Sequence, residues 1–169
     1  MYDLRFSDTG LTTWALLRQT WSVMCKVAET RLAKVHLTPE KISVLWACKE
    51  HHGPLIPAEI ARIVSRESQS VTGLLNRMES EGLITRIPKR KGRPFTEVRL
   101  TDKGEEACII GVAVLKRVIT EVMSPLQTDE LEHIHEPLRA LRQQAAKALH
   151  LEVSLPPNLA PEEAIPISL

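Results

Sequence analysis

The sequence lacks the features of a membrane or secreted protein. Its longest apolar run, Ala107 to Leu115, is too short to cross a bilayer. The first residues include the charged Asp3 and Arg5 and contain no apolar segment of signal-peptide length. We therefore expect a cytoplasmic protein that has no membrane partner.

Cysteine is scarce as well. Cys25, Cys48 and Cys108 are far apart in the sequence, and none of them belongs to a Cys-x-x-Cys pair. This spacing argues against a disulfide framework and against a thiolate zinc site. It predicts that each cysteine is a small buried apolar side chain.

The short motifs of common enzymes are also missing. There is no glycine-rich phosphate loop, no Gly-x-Ser-x-Gly elbow, no His-Glu-x-x-His pair and no pair of carboxylates beside a credible pocket. We predict that the protein is not an enzyme and uses no cofactor.

What the sequence does contain is a concentrated basic segment. The net charge of the 169 residues is only +1. Between Ile84 and Lys103, however, seven basic residues stand against two acidic ones, whereas residues 129–163 hold seven acidic and three basic residues. The basic segment predicts a local positive field of the kind that attracts nucleic acid.

Apolar residues at helical spacing predict a mainly α-helical protein. The first helix runs from residue 11 to residue 35, and Thr38 caps the second. Pro57 opens a short third helix. Ser68 is positioned to cap the fourth, and Gly82 is expected to end it in a left-handed turn.

The C-terminal part of the chain predicts two more helices and a tail. Thr101 caps the fifth helix, which stays apolar through Met123. Thr128 caps the sixth, and Pro137 is expected to kink or split it, because proline removes a helical hydrogen bond. Residues 153–169 contain four prolines and predict an extended tail.

The third and fourth helices form a predicted helix-turn-helix, with only residues 65–67 between them. The inner face of the fourth helix is apolar, and its outer face carries short polar side chains that would let it enter the major groove of duplex DNA. Taken alone, such a face could equally be a solvated helix surface. The candidate DNA contacts of this element are Arg66, Ser68, Gln69, Ser70, Thr72, Gly73, Asn76 and Arg77.

Two β-prone runs, residues 83–87 and 95–100, enclose a basic loop and predict a wing. Basic residues on a hairpin tip would straddle the phosphate backbone and release counterions from it. Arg93, between Gly92 and Pro94, is placed to enter a narrow A·T-rich minor groove. An isolated basic run is usually just a solvated loop, but this one directly follows a helix-turn-helix. The candidate DNA contacts of the wing are Arg86, Lys89, Arg90, Lys91 and Arg93.

Several segments between residues 37 and 104 form a recognisable set. They are Leu37-Thr38-Pro39-Glu40, Ser70-Val71-Thr72, Leu74-Leu75-Asn76-Arg77-Met78-Glu79, Gly82-Leu83-Ile84-Thr85-Arg86 and Val98-Arg99-Leu100-Thr101-Asp102-Lys103-Gly104. This set resembles the MarR family of winged helix-turn-helix transcription regulators. One departure is that residues 91–94 carry no aspartate, which in the family steadies a wing arginine.

The resemblance implies a domain order and a function. Residues 1–36 and 105–151 would supply dimerisation helices, residues 37–104 the winged helix-turn-helix with its small β-wing, and residues 152–169 a Pro-rich tail. A homodimer would present two recognition helices to a pseudo-palindromic promoter site on double-stranded DNA. We expect a repressor that is released when a small molecule binds.

The resemblance also implies that this effector is small, often aromatic and acidic, and bound between the dimerisation helices and the DNA-binding domain. Side chains that could stack on such an anion or neutralise it are Trp14, Arg18, Trp21, His36 and Trp46. The tryptophans could instead belong to the core and the dimer interface.

Other interpretations remain open. A winged helix can serve as a protein-interaction module without binding DNA. Some relatives respond to peroxide or to zinc. In the relatives that respond to peroxide, a reactive cysteine lies near the start of the first helix, and the corresponding position here is approximately Trp14. For zinc, His133 and His135 are poorly placed as ligands, because they point to opposite sides of a predicted helix. We therefore predict no bound metal.

Overall fold

The computed structural model describes residues 2–51, 53–64, 68–88, 96–151 and 153 of the chain. The helices are α1 (Thr9–Ala33), α2 (Pro39–Glu50), α3 (Pro57–Ile63), α4 (Ser68–Ser80), α5 (Asp102–Met123) and α6 (Thr128–Ala148). The strands are β1 (Ile84–Ile87) and β2 (Glu97–Leu100). The mainly α fold with a small β-wing is thus confirmed.

Capping residues define several helix ends where the sequence predicts them. The Thr38 hydroxyl accepts a hydrogen bond from the Lys41 amide at 3.3 Å where α2 begins. The Thr101 hydroxyl accepts one from the Gly104 amide at 3.0 Å where α5 begins. Gly82, which follows α4, has φ +71°, a conformation that a residue with a Cβ adopts only at a cost.

The end of α1 uses the same left-handed turn without a glycine. His36 has φ +59°. Around it, the Leu37 amide donates to the Leu32 carbonyl at 3.1 Å and the His36 amide donates to the Ala33 carbonyl at 3.1 Å. This pair of bonds satisfies carbonyls that the helix end would otherwise leave free. The backbone role of His36 is therefore to turn the chain from α1 into α2.

The two strands pair antiparallel, with Ile84 opposite Leu100 and Arg86 opposite Val98. Ile84 and Val98 are each 2% exposed, so one side of the wing stem is sealed against the helices. The Val98 amide also donates to the Leu55 carbonyl at 2.8 Å, which ties the second strand to the segment before α3.

The core of the DNA-binding lobe lies between α2, α3, α4 and the sheet. Its fully buried members include Leu45, Ile60, Leu75, Met78 and Ile84. Burial of such side chains stabilises the fold by about 1.5–3 kcal/mol each. The outer face of α4 is therefore presented on a well-packed support.

Helix α5 meets α2 at a glycine. A Cβ on Gly111 would lie 1.8 Å from Cδ1 of Ile42 and 3.1 Å from Cδ1 of Leu37. The Ile42 side chain of α2 therefore packs directly against the backbone of α5 at Gly111, which leaves no room for a side chain at that position.

Helix α6 differs from the others because none of its residues is buried. It begins with Gln127 at the N-cap rather than Thr128, which corrects the predicted cap, and the Gln127 amide donates to the Glu130 carboxylate at 2.8 Å. It also runs through Pro137 as one helix and is not split there.

The apolar residues of α6 alternate at spacings of three and four, the pattern of a helix-packing seam: Leu131, Ile134, Leu138, Leu141 and Ala145. In the described ranges, no helix is long and apolar enough to span a membrane.

Candidate nucleic-acid interface

Helix α4 has the two faces that the sequence predicts. On the inner side, Val71, Leu75 and Met78 are at most 1% exposed. On the outer side, the exposed residues are Gln69, Ser70, Thr72, Asn76 and Arg77, with Gly73 half-buried among them. Ser68 is the first residue of the helix. The structure therefore brings the candidate DNA contacts between Gln69 and Arg77 onto one surface.

This outer surface is divided by an open cleft of about 530 Å³ between α4 and the first turn of α2. Its walls are Thr38, Glu40, Lys41, Gln69, Ser70, Gly73, Leu74 and Arg77. Gln69, Gly73 and Arg77 are spaced four residues apart and so form the flank of α4 that faces α2. Thr72 and Asn76 are not among the cleft residues, and they form a second flank.

The charges around the cleft are not equivalent. Lys41 Nζ lies 2.6 Å from a carboxylate oxygen of Glu81, and its side chain is only 14% exposed, so its charge is paired. Arg77 has no ion-pair partner in the part of the chain that the structure describes. Its Nη1 lies 4.0 Å from where a Cβ on Gly73 would stand, so the guanidinium extends back along the cleft.

Arg86 occupies a different environment from the one the sequence suggests. Its Nε donates to Oε2 of Glu79 at 2.8 Å, and its backbone amide donates to Oε1 of the same residue at 3.1 Å. The hydrogen bond and charge of Arg86 hold the pKa of the Glu79 carboxyl below its usual range. The positive charge of Arg86 is therefore compensated inside the chain.

Two further basic residues of this segment form hydrogen bonds within the chain. Lys103 Nζ donates to the Glu81 carbonyl at 2.7 Å, at the end of α4, where a helix attracts positive charge. Arg99 Nε donates to the Glu97 carboxylate at 2.6 Å. Both residues are among the seven basic residues from which the sequence predicts a positive field. Their partners within the chain could not be predicted from the sequence.

The tip of the wing and the turn of the helix-turn-helix lie outside the described residues. The predicted contacts there are Arg66, Lys89, Arg90, Lys91 and Arg93. They remain predictions from the sequence.

The predicted effector residues are distributed over two helices and a turn. Trp14 and Trp21 on α1 are 71% and 68% exposed, and Arg18 between them is exposed too. Trp46 on α2 is partly buried against the core, and His36 forms the turn between these helices. Their role in effector binding stays a prediction.

The cysteines and histidines are relevant to the two alternative signals, peroxide and zinc. Burial raises the pKa of the Cys48 thiol to about 12, and it also raises that of Cys108. Cys25 is partly exposed. Across the described ranges, no three His, Cys, Asp or Glu side chains come close enough together to hold a metal ion.

Comparison with known proteins agrees with this geometry. The MarR family signature matches residues 37–92. The HTH-type transcriptional repressor MdtR of Bacillus subtilis is 30% identical over 129 residues, which is 76% of this chain and 80% of MdtR. The chain belongs to the MarR family. It is therefore a MarR-family transcription regulator, and the resemblance inferred from its motifs is confirmed.

Two MarR-family structures share the fold. A mutant of MarR from E. coli in complex with operator DNA has a TM-score of 0.67 at 20% identity, covering 80% of this chain and 99% of the other. CouR from Rhodococcus jostii RHA1 bound to p-coumaroyl-CoA has a TM-score of 0.68 at 16% identity, covering 80% and 92%. The relatives are regulators rather than enzymes.

Proposed function

We propose that this protein represses transcription by binding a pseudo-palindromic promoter site as a homodimer. The observation that carries the proposal is the outer face of α4, where small polar side chains on a buried apolar support surround Arg77, which has no ion-pair partner among the described residues. The repressor name of MdtR and the operator DNA bound to the E. coli MarR mutant support the same function.

The two flanks of α4 suggest two kinds of DNA contact. Thr72 and Asn76 are exposed away from the cleft and would meet base edges, since an asparagine amide pairs with adenine in the major groove. Arg77 lies along the cleft and would meet a phosphate, which fixes position but carries no sequence information. Specificity would then come mainly from the first flank.

The homodimer would cover surfaces that one chain leaves open. Helix α6 has an apolar seam and no buried residue. The first half of α6 is acidic and its second half basic, so two copies packed antiparallel would be complementary in charge. The acidic residues are Asp129, Glu130, Glu132 and Glu136, and the basic ones Arg139, Arg142 and Lys147. Half-sites would lie about 34–36 Å apart.

The effector that releases DNA would be a small acidic molecule, possessing an aromatic ring. CouR is bound to p-coumaroyl-CoA, which is both aromatic and anionic. In this chain, the Trp14 and Trp21 rings and the Arg18 cation lie on successive turns of α1 and would supply the matching chemistry.

A gel shift with the DNA that flanks the gene tests the proposal directly. We expect a discrete complex whose affinity falls steeply as salt rises, and which survives an excess of unrelated duplex. If no duplex binds even at low salt, the winged helix is a protein-interaction module instead.

A further inference from the structure

We propose that Glu79 and Arg86 form a latch that fixes the wing relative to helix α4, and that Arg86 influences DNA binding only through this latch. The inference rests on the proposed DNA-binding function. It also reassigns Arg86, which the sequence suggests as a direct DNA contact.

The latch uses both oxygens of one carboxylate. Oε1 of Glu79 accepts from the backbone amide of Arg86 at 3.1 Å, and Oε2 accepts from Nε at 2.8 Å and from Nη2 as well. One bond therefore holds the main chain of β1, and the others hold the guanidinium. Since both side chains are about one-third exposed, at 35% and 29%, the contact is shielded from water only in part. The latch therefore adds little to the free energy of unfolding, and its main effect is to fix the position of β1 relative to α4.

The positions of the two residues explain what the latch sets. Glu79 lies in the last turn of α4, and Arg86 lies opposite Val98 in the β1–β2 ladder. The latch spans the left-handed turn at Gly82, the joint between the helix that enters the major groove and the hairpin that carries the wing. When two linked elements contact DNA together, the second contact depends on how well the link holds its position. A loose joint would therefore weaken binding even if every DNA contact remained.

The competing role for Arg86 is a phosphate contact. In that case Glu79 would be an unfavourable negative charge close to DNA, and its removal would strengthen binding. The latch requires the opposite result, because Glu79→Gln loses the charged bidentate acceptor that holds Arg86. The two roles therefore predict opposite changes in DNA affinity for Glu79→Gln: weaker binding for the latch and stronger binding for the phosphate contact.

The experiment measures operator affinity over a range of salt for Glu79→Gln, Arg86→Gln and the double variant. Glu106→Gln, the same substitution at an exposed position on α5, is the control. The latch predicts that each single variant binds on the order of fivefold more weakly, that the double variant is no weaker than either, and that the salt slope is unchanged. Thermal unfolding confirms that each variant is folded.

Two binding results would overturn the latch. One is tighter binding by Glu79→Gln together with a salt slope reduced by about one in Arg86→Gln, which marks a lost phosphate contact. The other is full independence, in which the effects of the two single variants on DNA affinity add.

A measurement without DNA separates this inference from the proposed function. Amide exchange at residue 86 should be faster in Glu79→Gln than in the parent, and equal rates would also reject the latch.

Discussion

Gly104 on α5 packs directly against the main chain of Leu83, so that a Cβ on Gly104 would lie 1.9 Å from the Leu83 carbonyl oxygen. That oxygen belongs to the backbone between α4 and β1, where it accepts the Thr101 amide at 3.2 Å, and it cannot swing aside as a flexible side chain could. We expect Gly104→Ala to lower the free energy of unfolding by about 1–3 kcal/mol in urea denaturation.

The matched control for this substitution is Gly73→Ala. The position lies inside α4, and the heavy atom nearest to an added Cβ, Nη1 of Arg77, is 4.0 Å away. Alanine should therefore raise stability by about 0.5–1 kcal/mol. If Gly104→Ala were equally stabilising, the close contact with Leu83 would be wrong.

A second prediction concerns the left-handed turn at His36. Its φ of +59° places the Cβ in a strained position, so His36→Gly should stabilise the protein by about 0.5–1 kcal/mol. His133→Gly, the same exchange in the interior of α6, should instead destabilise it by a similar amount. Differential scanning calorimetry compares the two. A lower Tm for His36→Gly would contradict the turn.

The confirmed and corrected helix ends show what could be read from the sequence. Thr38 and Gly82 were predictable because each acts through its own local chemistry, as a side-chain cap or a left-handed turn. The cap at Gln127 was not, because glutamine is an uncommon cap and Glu130 reaches back to its amide. The pairing of Arg86 with Glu79 was also hidden. It exists only because the turn at Gly82 folds the strand back beside the helix.

A third prediction tests the apolar seam of α6. Leu138 stands near the middle of that helix and is 43% exposed in the single chain. In the proposed dimer, Leu138→Glu would bury an unpaired charge, so we expect dissociation to monomers at micromolar concentration. Gln143→Glu adds the same charge on the opposite side of the helix and should remain dimeric. Sedimentation velocity measures both, and a dimeric Leu138→Glu would remove α6 from the interface.

The flanks of α4 lead to a fourth prediction. Asn76→Ala should reduce the preference for operator over random duplex by about 1–3 kcal/mol, because a base contact is lost. Arg77→Ala should weaken binding to both duplexes alike and lower the salt slope by about one. Fluorescence anisotropy with the two duplexes at several salt concentrations distinguishes them. The assignment fails if Arg77→Ala alone loses discrimination.

A fifth prediction follows from the raised pKa values of two cysteine thiols, one buried and one partly buried. Because burial raises the pKa of Cys48 to about 12 and that of Cys108 in the same direction, both should be almost entirely protonated at neutral pH. We expect iodoacetamide to leave them unmodified in the native protein and to label them after unfolding in urea, as followed by peptide mass spectrometry. Rapid native labelling of Cys48 would show that α2 opens readily.

The contact of Gly111 with Ile42 has a mechanical consequence. The Ile42 side chain packs directly against the α5 backbone at Gly111, so α2 and α5 would move together as one arm. In the proposed dimer, a tilt of α5 would be transmitted to α2 rather than absorbed by sliding, and the packed lobe would carry α4 with it. A small rotation at the subunit boundary would thus become a larger displacement at the DNA, in proportion to the length of that arm.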